Sequence, residues 1–318
     1  MSAPLHAPPI PVRLTKIEYA ARDTNLYTFE RLDGGLLPGA APGAHIGLHL
    51  PNAVERQYSL VESGTELKRY VIGVKRDQAS RGGSAYLHER LRVGAVVDID
   101  PPRNNFPLRE DAEISVLIAG GIGVTPIWSM VRRLTELGRE WRLFYSARSR
   151  EDAAFAEALA VQPRAALHFD DEAGTLLPLA EIVTAAPEGA HLYCCGPAPM
   201  LKAFEDACRE RASETVHVEY FTPRFEAAEE GGFTVALARS GREFAIPAGK
   251  SILKVLQEAG VPVTSSCEEG VCAACETRVL EGIPDHRDAI LSEAERAANE
   301  TMFICCSGAR SERLVLDL

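Results

Sequence analysis

The stretch Ser265-Ser266-Cys267-Glu268-Glu269-Gly270-Val271-Cys272-Ala273-Ala274-Cys275 places three cysteines in one short segment, with the spacing C-x4-C-x2-C. Its small residues let backbone amides approach the sulfurs, and Gly270 supplies a sharp turn that bulkier residues resist. A further cysteine, Cys305, follows Cys275 after 29 intervening residues. Three thiols in one tight loop and a fourth at a distance predict a metal centre.

Two kinds of metal centre use four thiolates. Plant-type ferredoxins hold a 2Fe-2S cluster with this spacing and a distant fourth cysteine, whereas structural zinc sites usually pair two C-x2-C knuckles. The loop resembles the ferredoxin pattern C-x-x-G-x-C-G-x-C, except that Ala273 stands where glycine is usual; its methyl group is tolerable if the local backbone is not left-handed. The spacing favours a 2Fe-2S cluster over zinc, with these ligands: Cys267, Cys272, Cys275 and Cys305.

Cys305 and Cys306 are adjacent, so the fourth ligand is ambiguous from spacing alone. In a strand, neighbouring side chains point to opposite faces, and only one of the two thiols can reach the iron. Cys305 is the predicted ligand. Cys306, Cys194 and Cys208 are interpreted as structural residues.

Composition and charge restrict the function classes. The 318 residues are 46% hydrophobic and 25% charged, which is typical of a globular protein. Residues 1–109 carry 14 basic and 11 acidic side chains, residues 110–231 carry 11 and 21, and residues 232–318 carry 9 and 13. This balance gives no basic footprint for nucleic acid.

The first residues contain four prolines and no apolar signal-peptide core, and no stretch approaches the length of a membrane span. We therefore expect a cytoplasmic protein without membrane contact, in which the cysteines are ligands or free thiols.

The pattern of apolar residues predicts several domains. Residues 1–109 contain short alternating segments broken by glycine and proline, at 12–19, 26–31, 45–50, 56–61 and 69–75, which favour an antiparallel barrel or sandwich. Residues 110–223 alternate apolar strands at 114–119, 141–146 and 191–195 with helical stretches at 126–137, 152–160 and 199–211, as in a parallel α/β sheet.

The remaining part of the chain starts with an acidic, glycine-ended segment, 224–232, which we interpret as a linker. Residues 233–318 follow, with strand patterns at 233–238 and 243–246 and a helix capped by Ser251 just before the cysteine loop.

Two glycine-containing loops lie between predicted strands and helices. Residues 119–126 read Ala-Gly-Gly-Ile-Gly-Val-Thr-Pro, and Cys195-Gly196-Pro197 ends a later strand. The carboxyl ends of parallel strands form the ligand crevice of an open sheet, so the two loops can face one nucleotide. Alone, the first loop is a weak signal and is better explained by an ordinary glycine-rich turn.

In the first domain, Arg56-Gln57-Tyr58-Ser59 places Arg56 and Tyr58 on one strand face and Ser59 on the other. Ser80-Arg81-Gly82-Gly83-Ser84 opens a probable helix and offers hydroxyls, a guanidinium and free amides that suit a phosphate monoester. In isolation these are a strand pair and a turn.

Together, the ordered motifs R-x-Y-S, S-R-G-G-S, G-G-I-G-V-T-P, C-G-P and C-x4-C-x2-C…C resemble the phthalate dioxygenase reductase family, which includes vanillate O-demethylase reductases. The resemblance covers essentially the whole chain. It implies an antiparallel β-barrel that binds FMN, an α/β NAD-binding domain of the ferredoxin reductase type, and a C-terminal α+β domain of the β-grasp type with a plant-type 2Fe-2S cluster.

The resemblance also implies roles for single residues. Ser59 and Cys195 would lie nearest to hydride transfer, and Phe221 of the segment Glu219-Tyr220-Phe221 would cover the flavin face that the nicotinamide takes. The implied flavin-binding residues are Arg56, Tyr58, Ser59, Arg81, Gly82, Gly83 and Ser84. The implied nucleotide-binding residues are Gly121, Gly123, Thr125, Pro126, Arg148, Cys195, Gly196 and Pro197.

The implied activity is that of an NADH-dependent oxidoreductase that passes a hydride to FMN and single electrons through the 2Fe-2S cluster to a Rieske-type oxygenase. Residues 147–152 contain both arginines and carboxylates near the expected ribose site; the family and the acidic middle domain favour NADH over NADPH. Two alternatives are the same electron chain serving another acceptor, such as a cytochrome P450, and a non-enzymatic redox or metal sensor.

Overall fold

The first strands form a curled antiparallel sheet. The computed structural model describes residues 8–78, 80 and 82–318, which divide into one unit that ends at Glu219 and a second that runs from Tyr220 to Leu318. The first unit begins with β1 (Ile10–Ala21), β2 (Thr24–Arg31), β3 (Leu37–Ala40), β4 (His45–His49), β5 (Glu55–Ser59), β6 (Gly64–Leu67), β7 (Tyr70–Lys75), helix α1 (Gly83–Glu89) and β8 (Val96–Ile99).

Six of these strands pair in the order β5-β4-β8-β1-β2-β7, and a bridge between Leu60 and Ile72 brings the two edges together. Alternate side chains such as Leu14, Tyr27 and Ile46 are fully buried inside this barrel. The predicted barrel is therefore confirmed. Three strands of four residues, β3, β6 and β8, were not predicted, because segments so short and so rich in glycine or exposed charge show little alternation.

The second half of the first unit is a parallel α/β sheet. Its elements are β9 (Ile114–Gly120), α2 (Val124–Glu136), β10 (Glu140–Ala147), α3 (Ala156–Ala160), β11 (Ala165–Phe169), α4 (Asp170–Ala173), α5 (Leu179–Ala185), β12 (His191–Cys195), α6 (Ala198–Ala207) and β13 (Val216–Glu219). The five strands are parallel, in the order β11-β10-β9-β12-β13. The predicted parallel sheet is confirmed, with two additional edge strands, β11 and β13.

The helix predicted at residues 152–160 is shorter in the structure. Residues Arg150–Asp152 form a short 3-10 turn, and α3 begins only at Ala156. Phe155 separates the two with a left-handed backbone, φ 62°. A continuous helix cannot pass through such a residue, so the apolar periodicity overestimated the helix.

The second unit is a mixed sheet with one helix packed on it. It contains β14 (Phe233–Leu237), β15 (Glu243–Ile246), α7 (Ile252–Glu258), β16 (Glu276–Glu281), β17 (Pro284–Asp285), α8 (Glu293–Ala298), β18 (Thr301–Phe303), β19 (Gly308–Ala309) and β20 (Arg313–Leu316). The sheet order is β15-β14-β20-β16-β18, with β14 and β20 parallel. Ser251 caps α7 through its hydroxyl, as the sequence predicted.

The buried face of α7, including Ile252 and Leu256, packs with Val235 and Leu314 of the sheet. The predicted α+β fold is confirmed, and the loop between α7 and β16 carries three of the four predicted cluster ligands. In the described part of the chain, no helix combines the length and apolar composition needed to cross a membrane.

Candidate functional site

The four predicted metal ligands converge in the second unit as two pairs. Cys272, Cys275 and Cys305 are buried and Cys267 is partly exposed. The thiol of Cys267 interacts with that of Cys272, and the thiol of Cys305 interacts with that of Cys275 and also with that of Cys306. Two irons that each take two cysteine ligands require this arrangement.

Backbone amides point at the same sulfurs. The amide of Glu269 lies 3.3 Å from the Cys267 sulfur, and the amide of Cys267 lies 3.5 Å from the Cys272 sulfur. The Cys267 thiol, followed by the amides of Ala274 and Cys267, lowers the pKa of Cys272 to about 7, and the Cys275 thiol lowers the pKa of Cys305 to about 4. The same two contacts raise the pKa of Cys267 and Cys275, so each pair favours one thiolate, the form in which cysteine binds metal, beside one thiol.

The separation of the sulfurs decides between zinc and a two-iron cluster. Four thiolates around one zinc ion at about 2.3 Å must lie roughly 3.8 Å from one another. Among residues 8–78, 80 and 82–318, no three cysteine sulfurs lie within 4.8 Å of each other. The donors therefore do not fit a single ion, and two separate pairs fit a 2Fe-2S cluster.

Cys305 and Cys306 lie in a turn and not in a strand, and the Cys306 thiol interacts with the Cys305 thiol. The Cys306 sulfur lies 3.8 Å from the carbonyl oxygen of Phe303 and packs under Gly270, where an added Cβ would come within 2.5 Å of it. Gly270 also has a left-handed backbone, φ 70°, so glycine is required there for two reasons. The side chain of Cys306 therefore supports the loop from behind.

Ala273 does not meet the condition under which its methyl group is tolerable, namely a backbone that is not left-handed. Its backbone is left-handed, φ 60°, in the position where the ferredoxin pattern has glycine. A methyl group in this region is held too close to the following carbonyl oxygen, at a cost of about 1 kcal/mol. The cluster loop of this chain therefore carries local backbone strain.

The predicted flavin residues meet at one edge of the barrel. Arg56 and Tyr58 lie in register with Leu48 and Ile46 on one face of β5, and Ser59 is buried at the end of the strand. Burial raises the pKa of the Tyr58 phenol, which therefore stays protonated. Strand β5 thus presents a guanidinium, a phenol and a hydroxyl in the predicted order.

The predicted phosphate loop lies against this strand. A Cβ added to Gly83 would come within 2.6 Å of the Arg56 side chain, so the stem of Arg56 crosses directly over the start of α1. Gly82 is left-handed, φ 93°, and the hydroxyls of Ser80 and Ser84 lie 3.1 Å apart. The first-turn amides of α1 have no helical acceptor, so this cradle fits a phosphate group. Arg81 lies outside the described residues.

The two glycine loops of the α/β sheet touch one another. Strands β9 and β12 are adjacent, with Ala119 opposite Cys195. A Cβ on Gly123 would lie 2.2 Å from the Cys195 carbonyl oxygen, and a Cβ on Gly196 would lie 3.1 Å from the Cα of Gly120. Gly121 has φ 53° and no atom within 4 Å of an added Cβ, which leaves an open backbone surface for a nucleotide.

Other residues predicted to bind the nucleotide lie at the starts of the two helices that follow these loops. Thr125 and Pro126 are buried in the first turn of α2, and Pro197 precedes α6. Thr125 faces the barrel, because a Cβ on Gly73 of β7 would lie 2.7 Å from its methyl group. Phe221 belongs to the second unit, where it is 39% exposed.

Cys195 has a partner that the sequence did not single out as a site residue. Its fully buried sulfur lies 3.9 Å from a carboxylate oxygen of Glu219, the opposite residue on β13. Burial raises the pKa of the Cys195 thiol, and burial also raises the pKa of Glu219 to about 8. Both groups therefore stay protonated at neutral pH. The E-x-F segment contained the signal, but the pairing of β12 with β13 was needed to assign Glu219.

The segment expected near the ribose is largely engaged with other residues. Asp152 accepts two hydrogen bonds from Arg22 of β1–β2, at 3.0 and 2.6 Å, and Glu151 accepts one at 3.2 Å. Arg150 donates a hydrogen bond to Glu172 at 3.2 Å, and its guanidinium lies over the ring of Phe169. Arg148 is exposed at the end of β10. The carboxylates of this segment therefore anchor the sheet to the barrel.

Known proteins match both halves of this description. The family model for a 2Fe-2S iron-sulfur cluster binding domain matches residues 235–310, and the model for an oxidoreductase NAD-binding domain matches residues 117–167. The chain is 54% identical to the phenoxybenzoate dioxygenase subunit beta of Ectopseudomonas oleovorans, over 100% of both chains. It is 43% identical to the vanillate O-demethylase oxidoreductase of Pseudomonas sp. strain HR199, over 97% of this chain and 100% of that relative.

Among solved structures, phthalate dioxygenase reductase matches with a TM-score of 0.72 and 38% identity over 98% of both chains. The chain belongs to the phthalate dioxygenase reductase family. An intact type IV self-sufficient cytochrome P450 monooxygenase also contains a similar region, with a TM-score of 0.90 and 36% identity over 98% of this chain and 41% of that chain.

Membership of this family makes the chain an oxidoreductase, and FMN, NADH and a 2Fe-2S cluster are its cofactors. The resemblance inferred from the motifs is confirmed. The cradle at Arg56 and Gly83, the contact of the two glycine loops and the two thiol pairs each fit one of these groups.

We predict that Ala273→Gly stabilises the cluster loop by about 1 kcal/mol, because glycine removes the left-handed strain. The midpoint for thermal loss of the visible cluster absorption should rise. Ala274→Gly is the matched control: Ala274 is buried and its φ is not positive, so this change should lower the midpoint. Equal effects of both substitutions would show that Ala273 is not strained.

We predict that the raised pKa of Glu219 makes the folded chain progressively less stable as the pH rises from about 4.5 to about 8. The pKa of Glu219 is about 8 in the folded chain against 4.5 ordinarily, so the stabilising protonated form is fully present below pH 4.5 and is lost as the pH rises through about 8. Urea unfolding should show a loss on the order of 1 kcal/mol or more over this range.

Glu219→Gln should make this pH dependence flatter, because the amide cannot ionise. Glu214→Gln, at an exposed carboxylate in the turn before β13, should leave the wild-type profile unchanged. A Glu219→Gln variant that keeps the full loss of stability between pH 4.5 and 8 would show that Glu219 is not the titrating group.

Proposed function

We propose that this chain is the reductase component of a two-component Rieske-type oxygenase. When bound, NADH supplies a hydride, FMN accepts electrons as a pair and releases them singly, and the 2Fe-2S cluster carries one electron at a time. The observation that carries the proposal is the pairing of the cluster thiols in a chain whose other unit holds the residues proposed for the flavin and the nucleotide.

Residues of the first unit would hold the two organic cofactors. We propose that Arg56, Gly82, Gly83 and Ser84, with Arg81, bind the FMN phosphate, and that Tyr58 and Ser59 contact the ring system. The support is the packing of Arg56 on Gly83 and the position of the Gly83 and Ser84 amides at the start of α1, where the Ala85 amide already donates to the Ser80 hydroxyl.

The nicotinamide half of NADH would lie at the ends of β12 and β13. Cys195 and Glu219 both stay protonated there, so they present neutral groups and no competing charge to the reacting ring. They orient the nicotinamide and exclude water. We therefore propose Glu219 as a positioning residue beside Cys195, and we keep Ser59 and Phe221 as proposed neighbours of the hydride path.

We propose domain limits at 1–109, 110–223 and 233–318, with 224–232 as the connecting segment. The change from antiparallel to parallel pairing between β8 and β9 supports the first limit. The connecting segment has no helix or strand, and it attaches to the second unit through hydrogen bonds from the Ala228 amide to the Cys306 carbonyl, at 2.8 Å, and from the Gly249 amide to the Glu229 carbonyl, at 2.9 Å.

The electron acceptor would dock on the second unit. A groove of about 920 Å³ lies beside Cys306, the neighbour of a cluster ligand, and it carries five carboxylates and two guanidiniums. The carboxylates are those of Glu226, Glu229, Glu230, Glu268 and Glu269. This charge favours a partner with a basic patch, whose approach is steered electrostatically. We further propose the cytoplasm as the compartment, consistent with eight free cysteines.

A cytochrome P450 acceptor is the second candidate. It is favoured by one observation, the similar region within a self-sufficient P450 monooxygenase. The oxygenase proposal is preferred because the more similar full-length relative is a dioxygenase subunit.

We also propose NADH as the preferred coenzyme. Asp170, at the end of β11, accepts a hydrogen bond of 3.1 Å from Ser146 at the end of β10, and Asp171 and Glu172 follow it. A 2′-phosphate at this edge would meet the carboxylates of Asp170 and Asp171, since Glu172 is paired with Arg150, whereas a 2′-hydroxyl can donate to one of them. Arg148, exposed on the same edge, is proposed to contact the dinucleotide.

Cys272→Ser should abolish cluster assembly but leave the flavin site intact, because the proposed flavin and nucleotide residues other than Phe221 lie in the first unit. Iron content and cytochrome c reduction should be lost, while ferricyanide reduction by NADH should stay within about twofold of wild type. Cys208→Ser, a buried thiol of the first unit, is the control and should keep both activities. Cytochrome c reduction that survives in Cys272→Ser would disprove the proposed order of carriers.

NADH should exceed NADPH in kcat/KM for ferricyanide reduction by at least about tenfold, equivalent to roughly 1.4 kcal/mol. Asp170→Asn should reduce the ratio of the two kcat/KM values, because it weakens the repulsion of a 2′-phosphate. Asp206→Asn, at an exposed position of α6, should leave this ratio unchanged. Equal use of both coenzymes by the wild type would overturn the coenzyme assignment.

Mixing the holoprotein with purified Rieske oxygenases and with P450 enzymes tests the partner. Product formation should be coupled to NADH consumption with a Rieske oxygenase, and its rate should fall several-fold between about 50 and 300 mM salt. Coupled turnover with P450 enzymes alone would reject the Rieske assignment, and a rate independent of salt would reject the acidic docking groove.

A further inference from the structure

A second, smaller cleft lies in the second unit, lined by β17, the end of α8 and the residue after β19. Its volume is about 270 Å³, which is at the lower limit for binding an organic molecule. One side is apolar and is formed by Ile283, Pro284 and Ala297. The other side carries His286, Arg296 and Arg310. None of these residues belongs to the proposed cluster, flavin or nucleotide sites.

His286 is the least satisfied polar group in this cleft. Its side chain is 8% exposed, yet neither ring nitrogen has a hydrogen-bond partner among the residues that the structure describes. Oδ1 of Asp288, which is also buried without a hydrogen-bond partner among the described residues, is 3.9 Å from Nδ1, beyond hydrogen-bonding distance. A buried donor without an acceptor costs about 1–3 kcal/mol. A ligand that accepts a hydrogen bond from the imidazole would recover this energy.

The two guanidiniums are held in place by the protein and still face the cleft. Arg296 donates to the carbonyl oxygens of Leu291 and Asp288, at 2.9 and 2.6 Å, which fixes its orientation. Its Nη2 also lies 3.3 Å from the buried Asp288 carboxylate, which neutralises part of its charge. Arg310 is 70% exposed and makes one long contact, 3.3 Å, to Asp285. Arg287 binds that same carboxylate more closely, at 2.7 Å. Arg310 is thus only weakly neutralised.

These three cationic or donor groups select an anion with two oxygens in a plane. A guanidinium binds a carboxylate through a fork of parallel N–H groups, and the bond is stronger than one between neutral groups. The imidazole can donate a further hydrogen bond to the same carboxylate. The local charge is unusual in a unit that is acidic as a whole.

The apolar side of the cleft favours an organic anion over an inorganic one. Ile283 is 52% exposed although it follows a tight turn at Gly282, φ 99°, that fixes its position. Covering an exposed isoleucine side chain stabilises a complex in proportion to the apolar area removed from water. An organic body next to the charged group gains this term, and phosphate does not.

We propose that this cleft binds a small organic carboxylate. The carboxylate accepts hydrogen bonds from Arg310, Arg296 and His286, and its apolar body covers Ile283 and Pro284. The cleft is also linked to the cluster loop, because Ala289, in the same segment as His286, donates its amide to the Gly270 carbonyl at 2.9 Å. Binding at the cleft should therefore perturb the visible circular dichroism of the cluster.

Titration calorimetry of the full-length holoprotein with benzoate, benzamide and inorganic phosphate tests the ligand class. Benzoate should bind with a Kd on the order of 1 mM or below, and it should change the cluster circular dichroism. Benzamide has the same shape without the charge, and phosphate has charge without an apolar body, so each should bind at least about tenfold more weakly. Equal affinity for benzamide or for phosphate would overturn the proposal.

Variants locate the site. Arg310→Ala, at an exposed position that should fold normally, and His286→Gln should each weaken benzoate binding at least about fivefold and remove the dichroism change. Arg239→Ala is the matched control, since this exposed arginine of the same unit pairs with Asp317 instead; it should bind benzoate as the wild type does. Unchanged affinity in Arg310→Ala would show that benzoate binds elsewhere and would reject the site.

Discussion

Four sulfurs that must converge in two pairs impose the main constraint on the second unit. Cys267, Cys272 and Cys275 come from one loop, and Cys305 comes from a turn after β18. The loop can bring its amides to the sulfurs only by adopting left-handed turns, which include a glycine and the strained Ala273. The mixed sheet and α7 hold the two segments at the required separation. Much of the unit can be understood as support for this loop.

A comparable constraint acts on the α/β sheet of the first unit. A nucleotide can lie at the ends of β9 and β12 only if their loops approach each other closely, and the contacts at Gly123 and Gly196 leave no room for a side chain. The same strand ends bring Cys195 to Glu219, where burial keeps both groups protonated. Close backbone contact therefore joins the two glycine loops, and the neighbouring pair of Cys195 and Glu219 adds no charge beside them.

The two clefts of the second unit differ in charge although the unit is acidic overall. The groove beside Cys306 is dominated by glutamates, and the smaller cleft is lined by two arginines and an unsatisfied histidine. A protein partner with a basic patch suits the first, and a small carboxylate suits the second. Both connect to the cluster loop through short backbone contacts, so occupancy of either cleft can influence the same redox centre.

The sequence by itself determined the cluster type, the three kinds of domain and the family, because cysteine spacing, glycine-rich strand ends and apolar periodicity are local properties. Only the tertiary structure showed that the Cys195 thiol contacts the Glu219 carboxylate and that Arg22 donates hydrogen bonds to Asp152. It also showed that the backbone of Ala273 is left-handed and that the His286 side chain is buried without a hydrogen-bond partner among the described residues. These facts depend on residues far apart in the chain or on backbone angles that neighbours impose. Local patterns carry no record of either, so the packed structure was required.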